Sequence, residues 1–455
     1  MRKLLLLVVL TSTFVQAQYT VKGTIQPTKK YRWALLYKIE GTKERFIENS
    51  EINNQLLTTN GTTLTIGTFE FQLPANAESG AYRITYDLKK NSYIDFLFNK
   101  EDVAFSFNPK DAESTIRYTK SKENQLYMQF LGDLSVAQYT IDSLQVAYLK
   151  APSETVEASY KKAVEEIQKI QYAYNESSKG RLVHHFIKAT DRYNAPTVAK
   201  NPQEYVQGIV DHFFDHIDFT NTHLYNSSFL VDRVKDYVFY MNYSQDPDQQ
   251  QHYYLKATNS VIAKINDLPF KAAIIEFLIT EFARSNNSAL VDHLFANHYN
   301  TLPVEQQNAE FKKQINAAMA IAIGEIAPDF SWTENGNQIA LSDLNDGTSY
   351  LLIFYSTSCP HCLREVPKVY ELTKEKKNTK VIAFAMETSD KKWKKFVEDF
   401  KGWHHVLGLD KWDNKIAKTY QITSTPTYFV LGMDKRIIAN PETLSELKVI
   451  VEELQ

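Results

Sequence analysis

The stretch YLLIFYSTSCPHC, residues 350–362, contains both cysteines of this 455-residue chain. Its first six residues form a nearly continuous apolar run, which is typical of a parallel strand buried on both faces. Beyond the cysteines, apolar residues at 363, 366, 369 and 370 recur at helical spacing. We therefore expect Cys359 to lie where a buried strand leads into the N-terminus of a helix.

This position favours redox chemistry. Unpaired N–H groups and the helix dipole stabilise an anion at a helix N-terminus, so we expect a lowered pKa and a nucleophilic thiolate at Cys359. Cys362, three residues further on, is placed to resolve the mixed disulfide. The alternatives are half of a zinc site, which lacks a second CxxC or a suitably spaced histidine pair, and a structural disulfide, which is geometrically awkward across one helical turn. We expect neither a metal nor a cofactor.

Three motifs, in this order, resemble the thioredoxin superfamily and its membrane-anchored or secreted TlpA/ResA-like thiol-disulfide oxidoreductases. They are the lead-in GEIAPDF at 324–330, the pattern Cys-x-x-Cys-x-x-Glu-x-Pro at 359–367, and Thr-Pro-Thr at 425–427. The resemblance implies an α/β thioredoxin fold for residues 323–455. It also implies that Thr425 and Pro426 form a cis-proline loop against the cysteine pair, where an extended substrate strand would bind.

Neighbouring residues are expected to tune the cysteine pair. The Cys-Pro-His-Cys sequence resembles that of strongly oxidising disulfide-forming proteins, and the His361 imidazole could stabilise the thiolate; the alternative is a solvent-facing residue. Ile353 stands where thioredoxin carries a buried aspartate, and Ser358 where a tryptophan usually precedes the first cysteine. Glu365, one turn beyond Cys362, is the candidate substitute acid, although it could equally be a solvated helix residue.

The first 17 residues are typical of a secretory signal peptide. Arg2 and Lys3 precede a short apolar run at 4–10, and Val-Gln-Ala at 15–17 suits signal peptidase, so the mature chain is expected to begin at Gln18. The apolar run is too short to span a bilayer, and no cysteine follows it for lipid attachment. No later segment is long and apolar enough to span a bilayer. We expect a mature protein in the periplasm or cell envelope that does not span the membrane.

Composition and pattern predict three domains after the signal peptide. Short alternating segments over residues 18–109 predict an N-terminal antiparallel β-sandwich. Residues 118–322 contain few glycines and several apolar helical faces, so they predict an all-α helical domain of about eight helices. The net charge of −3 provides no electrostatic case for nucleic-acid binding.

Within residues 323–455, the pattern predicts further elements in the thioredoxin order. Residues 381–386 read as a second buried parallel strand, and apolar residues from 393 to 400 as a crossover helix. A hairpin is expected over 428–438. Asn440 as N-cap and Pro441 at the first helical position predict the start of a final helix.

His212 and His216, with Asp211 and Asp215 beside them, superficially suggest a metal site. Aromatic residues interleave with them, however, and no glutamate completes a zinc-protease motif. We interpret this stretch as a partly buried structural helix.

Together these features predict an exported thiol-disulfide oxidoreductase that exchanges disulfides with envelope proteins. Its partners would be protein thiols and disulfides and a membrane redox protein. The direction stays open between a disulfide-forming oxidase and a reductase or isomerase. The alternative function is a partner-binding envelope protein whose thioredoxin domain is only regulatory.

Overall fold

The computed structural model describes residues 17–28, 31–59 and 62–454. The chain divides into two compact units between Ile274 and Ile275. The predicted signal peptide lies, except for Ala17, outside the described residues. The three-domain division stays a prediction.

The first unit begins with nine described strands and one short helix. These are β1 (Ala17–Ile25), β2 (Trp33–Glu40), β3 (Lys43–Glu51), β4 (Asn53–Thr59), β5 (Thr62–Pro74), β6 (Gly80–Asp87), β7 (Ser92–Phe98), β8 (Val103–Phe107), α1 (Ala112–Thr115) and β9 (Arg117–Lys120). They form a five-stranded sheet, β4-β5-β1-β8-β9, and a four-stranded sheet, β3-β2-β6-β7. Side chains from both sheets, including Phe71 and Phe98, share one hydrophobic core.

One strand pair of this unit differs from the sequence prediction. β1 and β8 run parallel, with Val21 opposite Val103 and Ile25 opposite Phe107. The prediction of an antiparallel β-sandwich is therefore wrong at this pair. Alternating burial gives the same sequence pattern in parallel and antiparallel neighbours, so the pattern could not reveal the direction.

The helices that follow are α2 (Lys122–Lys150), α3 (Glu154–Ser178), α4 (Val183–Ala189), α5 (Pro202–Asp211), α6 (Thr222–Tyr225), α7 (Phe229–Lys235), α8 (Pro247–Lys264), α9 (Leu268–Arg284), α10 (Ser288–Asn297) and α11 (Ala309–Met319). A π-helical turn, Asp236–Met241, follows α7, and short 3-10 turns at Tyr299–Thr301 and Val304–Gln306 follow α10. Ser153, Asn201 and Asp246 cap α3, α5 and α8 through their side chains. Among the described residues, the segment 118–322 therefore contains ten α-helices, whereas the sequence predicted about eight.

The C-terminal elements are β10 (Ser331–Glu334), β11 (Asn337–Ala340), β12 (Ser349–Tyr355), α12 (Pro360–Thr373), β13 (Thr379–Met386), α13 (Lys391–Val397), β14 (His404–Gly408), α14 (Lys415–Thr419), β15 (Thr427–Gly432), β16 (Ile437–Ala439) and α15 (Leu444–Glu453). Two 3-10 turns, Leu341–Asp343 and Lys411–Asp413, lie between them. The Asn440 cap is wrong, because α15 begins at Leu444 and the Thr443 hydroxyl accepts the hydrogen bond from the Glu446 N–H.

The central strand of the C-terminal sheet is β12. The strand order is β14-β13-β12-β15-β16, with β12 parallel to β13 and antiparallel to β15. Alternate β12 residues enter two hydrophobic cores, one containing Leu352 and Phe354 and the other Leu351 and Ile353. This two-sided burial explains the continuous apolar run. The carboxyl ends of β12, β13 and β14 meet at one edge of the sheet, where α12 begins.

Among the described residues, no helix combines the length and the apolar character that crossing a bilayer requires.

Candidate active site

Cys359 and Cys362 lie at the junction of β12 and α12. Cys359 is the N-cap residue of α12, and its Sγ accepts a hydrogen bond from the Cys362 backbone N–H at 3.2 Å. The Cys359 thiol donates to the Thr425 carbonyl oxygen at 3.4 Å. Both cysteines are free thiols; Cys359 is half-buried, whereas Cys362 is fully buried. Of the two sulfur atoms, that of Cys359 is therefore the one open to a substrate.

The two thiol pKa values are shifted in opposite directions. Burial on its own raises the pKa of Cys359, but hydrogen bonds from the Cys362 thiol, the Cys362 N–H and the His361 N–H outweigh it, so the net pKa is lowered. Burial, together with the neighbouring Cys359 sulfur, raises the pKa of Cys362. A thiolate is therefore favoured at Cys359, while Cys362 stays protonated.

The predicted tuning residues, His361 and Glu365, contact each other. His361 Nε2 lies 2.8 Å from Glu365 Oε1, with the histidine side chain 55% exposed and the glutamate side chain 18% exposed. His361 thus acts on the Cys359 sulfur through its backbone N–H, while its ring is directed to the carboxylate. The other Glu365 oxygen accepts a hydrogen bond from Tyr428 Oη at 2.9 Å. Burial, and then Glu365, raises the pKa of Tyr428, so the phenol stays a donor.

The loop before β15 completes the surroundings of Cys359. The peptide bond between Thr425 and Pro426 is cis, and both residues are partly exposed. Thr427 begins β15 and lies opposite Phe354 of β12, which brings the loop to the edge where Cys359 lies. The sequence-predicted residues Cys359, Cys362, Thr425 and Pro426 therefore come together.

Sequence reasoning missed two residues beside the pair, Tyr428 and Glu387. Tyr428 is 1% exposed and follows the proline loop by two residues, so strand alternation could have indicated its inward orientation. Glu387 is 5% exposed and accepts hydrogen bonds from the Ser356 hydroxyl and the Thr357 N–H. An acidic residue directly after a buried parallel strand was the available signal, since such strand ends line the functional edge of a sheet.

His212 and His216 lie beyond the last residue of α5, which corrects the prediction of a structural helix for this stretch. α5 ends at Asp211, His212 is its C-cap residue, and residues 212–216 form turns. The ring of His212 stacks on Tyr193 at 4.0 Å between ring centroids. His212 Nδ1 pairs with Asp215 at 2.6 Å, and His216 Nε2 lies 3.7 Å from Asp191. In the part of the chain that the structure describes, no group of three or more His, Cys, Asp or Glu residues is arranged to hold a metal.

Comparisons with known proteins match the C-terminal part of the chain. A family model described as Redoxin matches residues 322–443. The thiol-disulfide oxidoreductase ResA of Bacillus thuringiensis (strain Al Hakam) is 33% identical over 119 residues, which is 26% of this chain and 67% of the relative. ResA of Geobacillus kaustophilus is 31% identical over 142 residues, covering 30% of this chain and 80% of the relative.

Among solved structures, the thioredoxin domain of a thiol-disulfide oxidoreductase from Bacteroides vulgatus is 26% identical. The match covers 29% of this chain and 96% of that domain, with a TM-score of 0.26.

The strand order of the C-terminal sheet and the Redoxin match define a thioredoxin-like fold. The chain belongs to the TlpA/ResA-like thiol-disulfide oxidoreductases of the thioredoxin superfamily, as the identity to ResA over four fifths of that relative shows. The resemblance inferred from the three sequence motifs is thereby confirmed.

Proposed function

We propose that this protein exchanges disulfides with other proteins through Cys359 and Cys362, with Cys359 as nucleophile and Cys362 as resolving thiol. One observation carries the proposal: the half-buried Cys359 sulfur accepts the Cys362 N–H at the start of α12, while the Cys362 thiol is fully buried. Hydrogen bonds to the thiolate form lower its pKa, and only a thiolate attacks a disulfide at a useful rate.

In the first step, the Cys359 thiolate attacks one sulfur of a substrate disulfide. The substrate S–S bond breaks as the Cys359–substrate bond forms, and the other substrate sulfur leaves as a thiolate. The cis-proline loop is proposed to hold the substrate, since the Thr425 backbone lies beside the attacking sulfur and can pair with an extended strand.

In the second step, Cys362 loses its proton and attacks the Cys359 sulfur. The mixed disulfide breaks, the Cys359–Cys362 disulfide forms, and the second substrate thiolate is released. Two electrons pass from the protein dithiol to the substrate; the reverse sequence oxidises a substrate dithiol. Because the pKa of Cys362 is raised, this step needs a proton acceptor. Glu365, one helical turn from Cys362, is proposed to take that role, with Tyr428 holding its carboxylate.

We further propose that the chain acts in the cell envelope after removal of residues 1–17. The support is the charged start, the short apolar run and the small residues before Gln18. Substrates would then be envelope proteins, and a membrane redox protein would restore the starting state of the pair.

Insulin-disulfide reduction and oxidative refolding assays on the full mature chain test the proposal. Wild-type protein should catalyse at least one of them, and Cys359→Ser should abolish that activity. Full activity in Cys359→Ser would overturn the assignment. The regulatory alternative would instead be supported by two results together: the wild-type protein is inactive in both assays, and a variant of it that lacks both cysteines still binds a partner protein.

A further inference from the structure

The segment between β12 and Cys359 is held in place by hydrogen bonds to one buried carboxylate, that of Glu387. Glu387 directly follows β13 and is 5% exposed. Its Oε1 accepts a hydrogen bond from the Ser356 hydroxyl at 3.3 Å and another from the Thr357 backbone N–H. A buried carboxylate needs such donors, and they in turn fix the backbone that donates to it.

The same contacts continue outward to Lys411. Ser356 Oγ lies 2.9 Å from Ser358 Oγ, and Lys411 Nζ donates to Ser358 Oγ at 3.3 Å. An ammonium group can only donate and a carboxylate can only accept. The donor direction of both hydroxyl groups is therefore fixed. Lys411 donates to Ser358, Ser358 donates to Ser356, and Ser356 donates to Glu387.

The segment that carries Lys411 is hydrogen-bonded to the Glu387 backbone. The Glu387 N–H donates to the Gly408 carbonyl at 2.8 Å, and the Lys411 N–H donates to the Glu387 carbonyl at 3.4 Å. Asp410 and Lys411 have φ values of 70° and 46°, a left-handed conformation that non-glycine residues seldom adopt. This turn directs the Lys411 side chain back to Ser358.

The segment 356–358 contacts the backbone of Cys359 and the thiol of Cys362. The Cys359 N–H donates to the Ser356 carbonyl at 3.1 Å. Burial raises the pKa of Cys362, and a hydrogen bond from the Ser356 N–H opposes that shift. Any displacement of Ser356 therefore moves the sulfur of Cys359 relative to that of Cys362.

We propose that Glu387 is a positioning residue for thiol exchange, which sets the alignment of the two sulfur atoms by holding the segment 356–358, with Lys411 as its outer anchor. The proposal rests on the exchange proposed above for Cys359 and Cys362. It predicts that loss of Glu387 acts chiefly on the resolving step, because that step requires the Cys362 sulfur to meet the Cys359–substrate bond in line.

The test uses the reduced full chain and 5,5′-dithiobis(2-nitrobenzoate). Attack by Cys359 releases a first nitrothiobenzoate, and attack by Cys362 on the mixed disulfide releases a second, so the two steps are measured separately. In Glu387→Ala we expect the second release to slow about tenfold, which corresponds to about 1.4 kcal/mol. Glu387→Gln keeps an oxygen acceptor for the Thr357 N–H and should stay within about threefold of wild type.

Glu371→Ala is the matched control, because Glu371 lies on α12 with a 65% exposed side chain that pairs with Lys374. It should leave both releases unchanged. A second release in Glu387→Ala within about twofold of wild type would overturn the positioning role, even if the variant melts at a lower temperature. If Glu387→Ala does not fold, Ser356→Ala decides: the second release should slow, and an unchanged rate rejects the proposal. Failure of the exchange itself is distinguishable, since Cys359→Ser would then retain activity.

Discussion

The backbone N–H of Cys362 points at the Cys359 sulfur across 3.2 Å, so the second cysteine of the pair stabilises the charge of the first. A Ser or Asp at an N-cap accepts the same hydrogen bond, but here the acceptor is the group that reacts. The same helical turn buries the Cys362 thiol completely. One turn of α12 thus produces both the activated and the protected sulfur.

Cys359 should therefore react as a thiolate below the pH at which a free cysteine does. In Cys362→Ser, the rate of alkylation by iodoacetamide should rise with pH, with its midpoint below about 8.5, the pKa of an unperturbed thiol. The midpoint is expected at lower pH because the pKa of Cys359 is lowered, so that the thiolate persists in more acidic solution. A midpoint at or above 8.5, with a denatured sample as control, would contradict this stabilisation.

Replacing the resolving thiol should trap substrates. In Cys362→Ser, the mixed disulfide on Cys359 has no internal thiol to attack it and should accumulate with envelope proteins, visible on non-reducing gels. Cys359→Ser should trap little, because Cys362 is fully buried and its pKa is raised. Stronger trapping through Cys362 than through Cys359 would reverse the two roles.

Glu365→Gln should slow the resolving step at neutral pH. The carboxylate accepts the Tyr428 hydroxyl at 2.9 Å and is the proposed acceptor of the Cys362 proton. General-base assistance contributes on the order of 10²-fold or more, so a loss of about that size is expected at pH 7. The loss should shrink as pH rises toward the raised pKa of Cys362, because the thiolate then forms without help. Glu371→Gln, on the same helix, should behave as wild type; a pH-independent loss would indicate a purely structural effect.

The fold around the cysteines could be predicted because burial leaves a local pattern. A strand buried on both faces must be apolar at every position, and β12 is buried throughout. β14, His404–Gly408, was missed, since its first two residues are histidines and only Val406 and Leu407 are apolar. The predicted crossover helix reached residue 400, but α13 ends at Val397 and Phe400 is buried outside it.

The site was predicted where its residues are neighbours in sequence and missed where they are distant. Cys359, Cys362 and Glu365 lie within two turns of one helix. Glu387 follows Ser356 by 31 positions and Tyr428 follows Glu365 by 63, so their contacts depend on strand pairing that no short window contains. The Asn440 cap failed for a different reason: the Asn440 side chain donates to the Ile321 carbonyl, and Thr443 offers another N-cap acceptor three residues later.

Export should leave a defined N-terminus. Protein from the cell envelope is expected to begin at Gln18, one residue into β1, and mass spectrometry of the intact chain measures it. The pairing of Tyr19 with Leu73 would survive this cleavage, so β1 keeps its place in the sheet. Recovery of chain with Met1 intact from the cytosol would contradict export.

The reduction potential of the pair should lie above about −230 mV, whereas thioredoxin lies near −270 mV. A stabilised Cys359 thiolate stabilises the reduced protein, so the disulfide becomes a better oxidant. His361 contributes through its N–H to the sulfur, and its ring lies 2.8 Å from the Glu365 carboxylate. His361→Ala keeps the N–H but loses the ring, and should lower the potential by about 30 mV.

Equilibration with glutathione buffers measures both values, with Glu371→Gln as the control on α12. A wild-type potential as low as that of thioredoxin would reject the His361 argument and favour a reductase. A potential that stays high in His361→Ala would instead assign the whole shift to the backbone donors around Cys359. The raised potential would then follow from the helix N-terminus alone, because those N–H groups remain in any variant that forms α12.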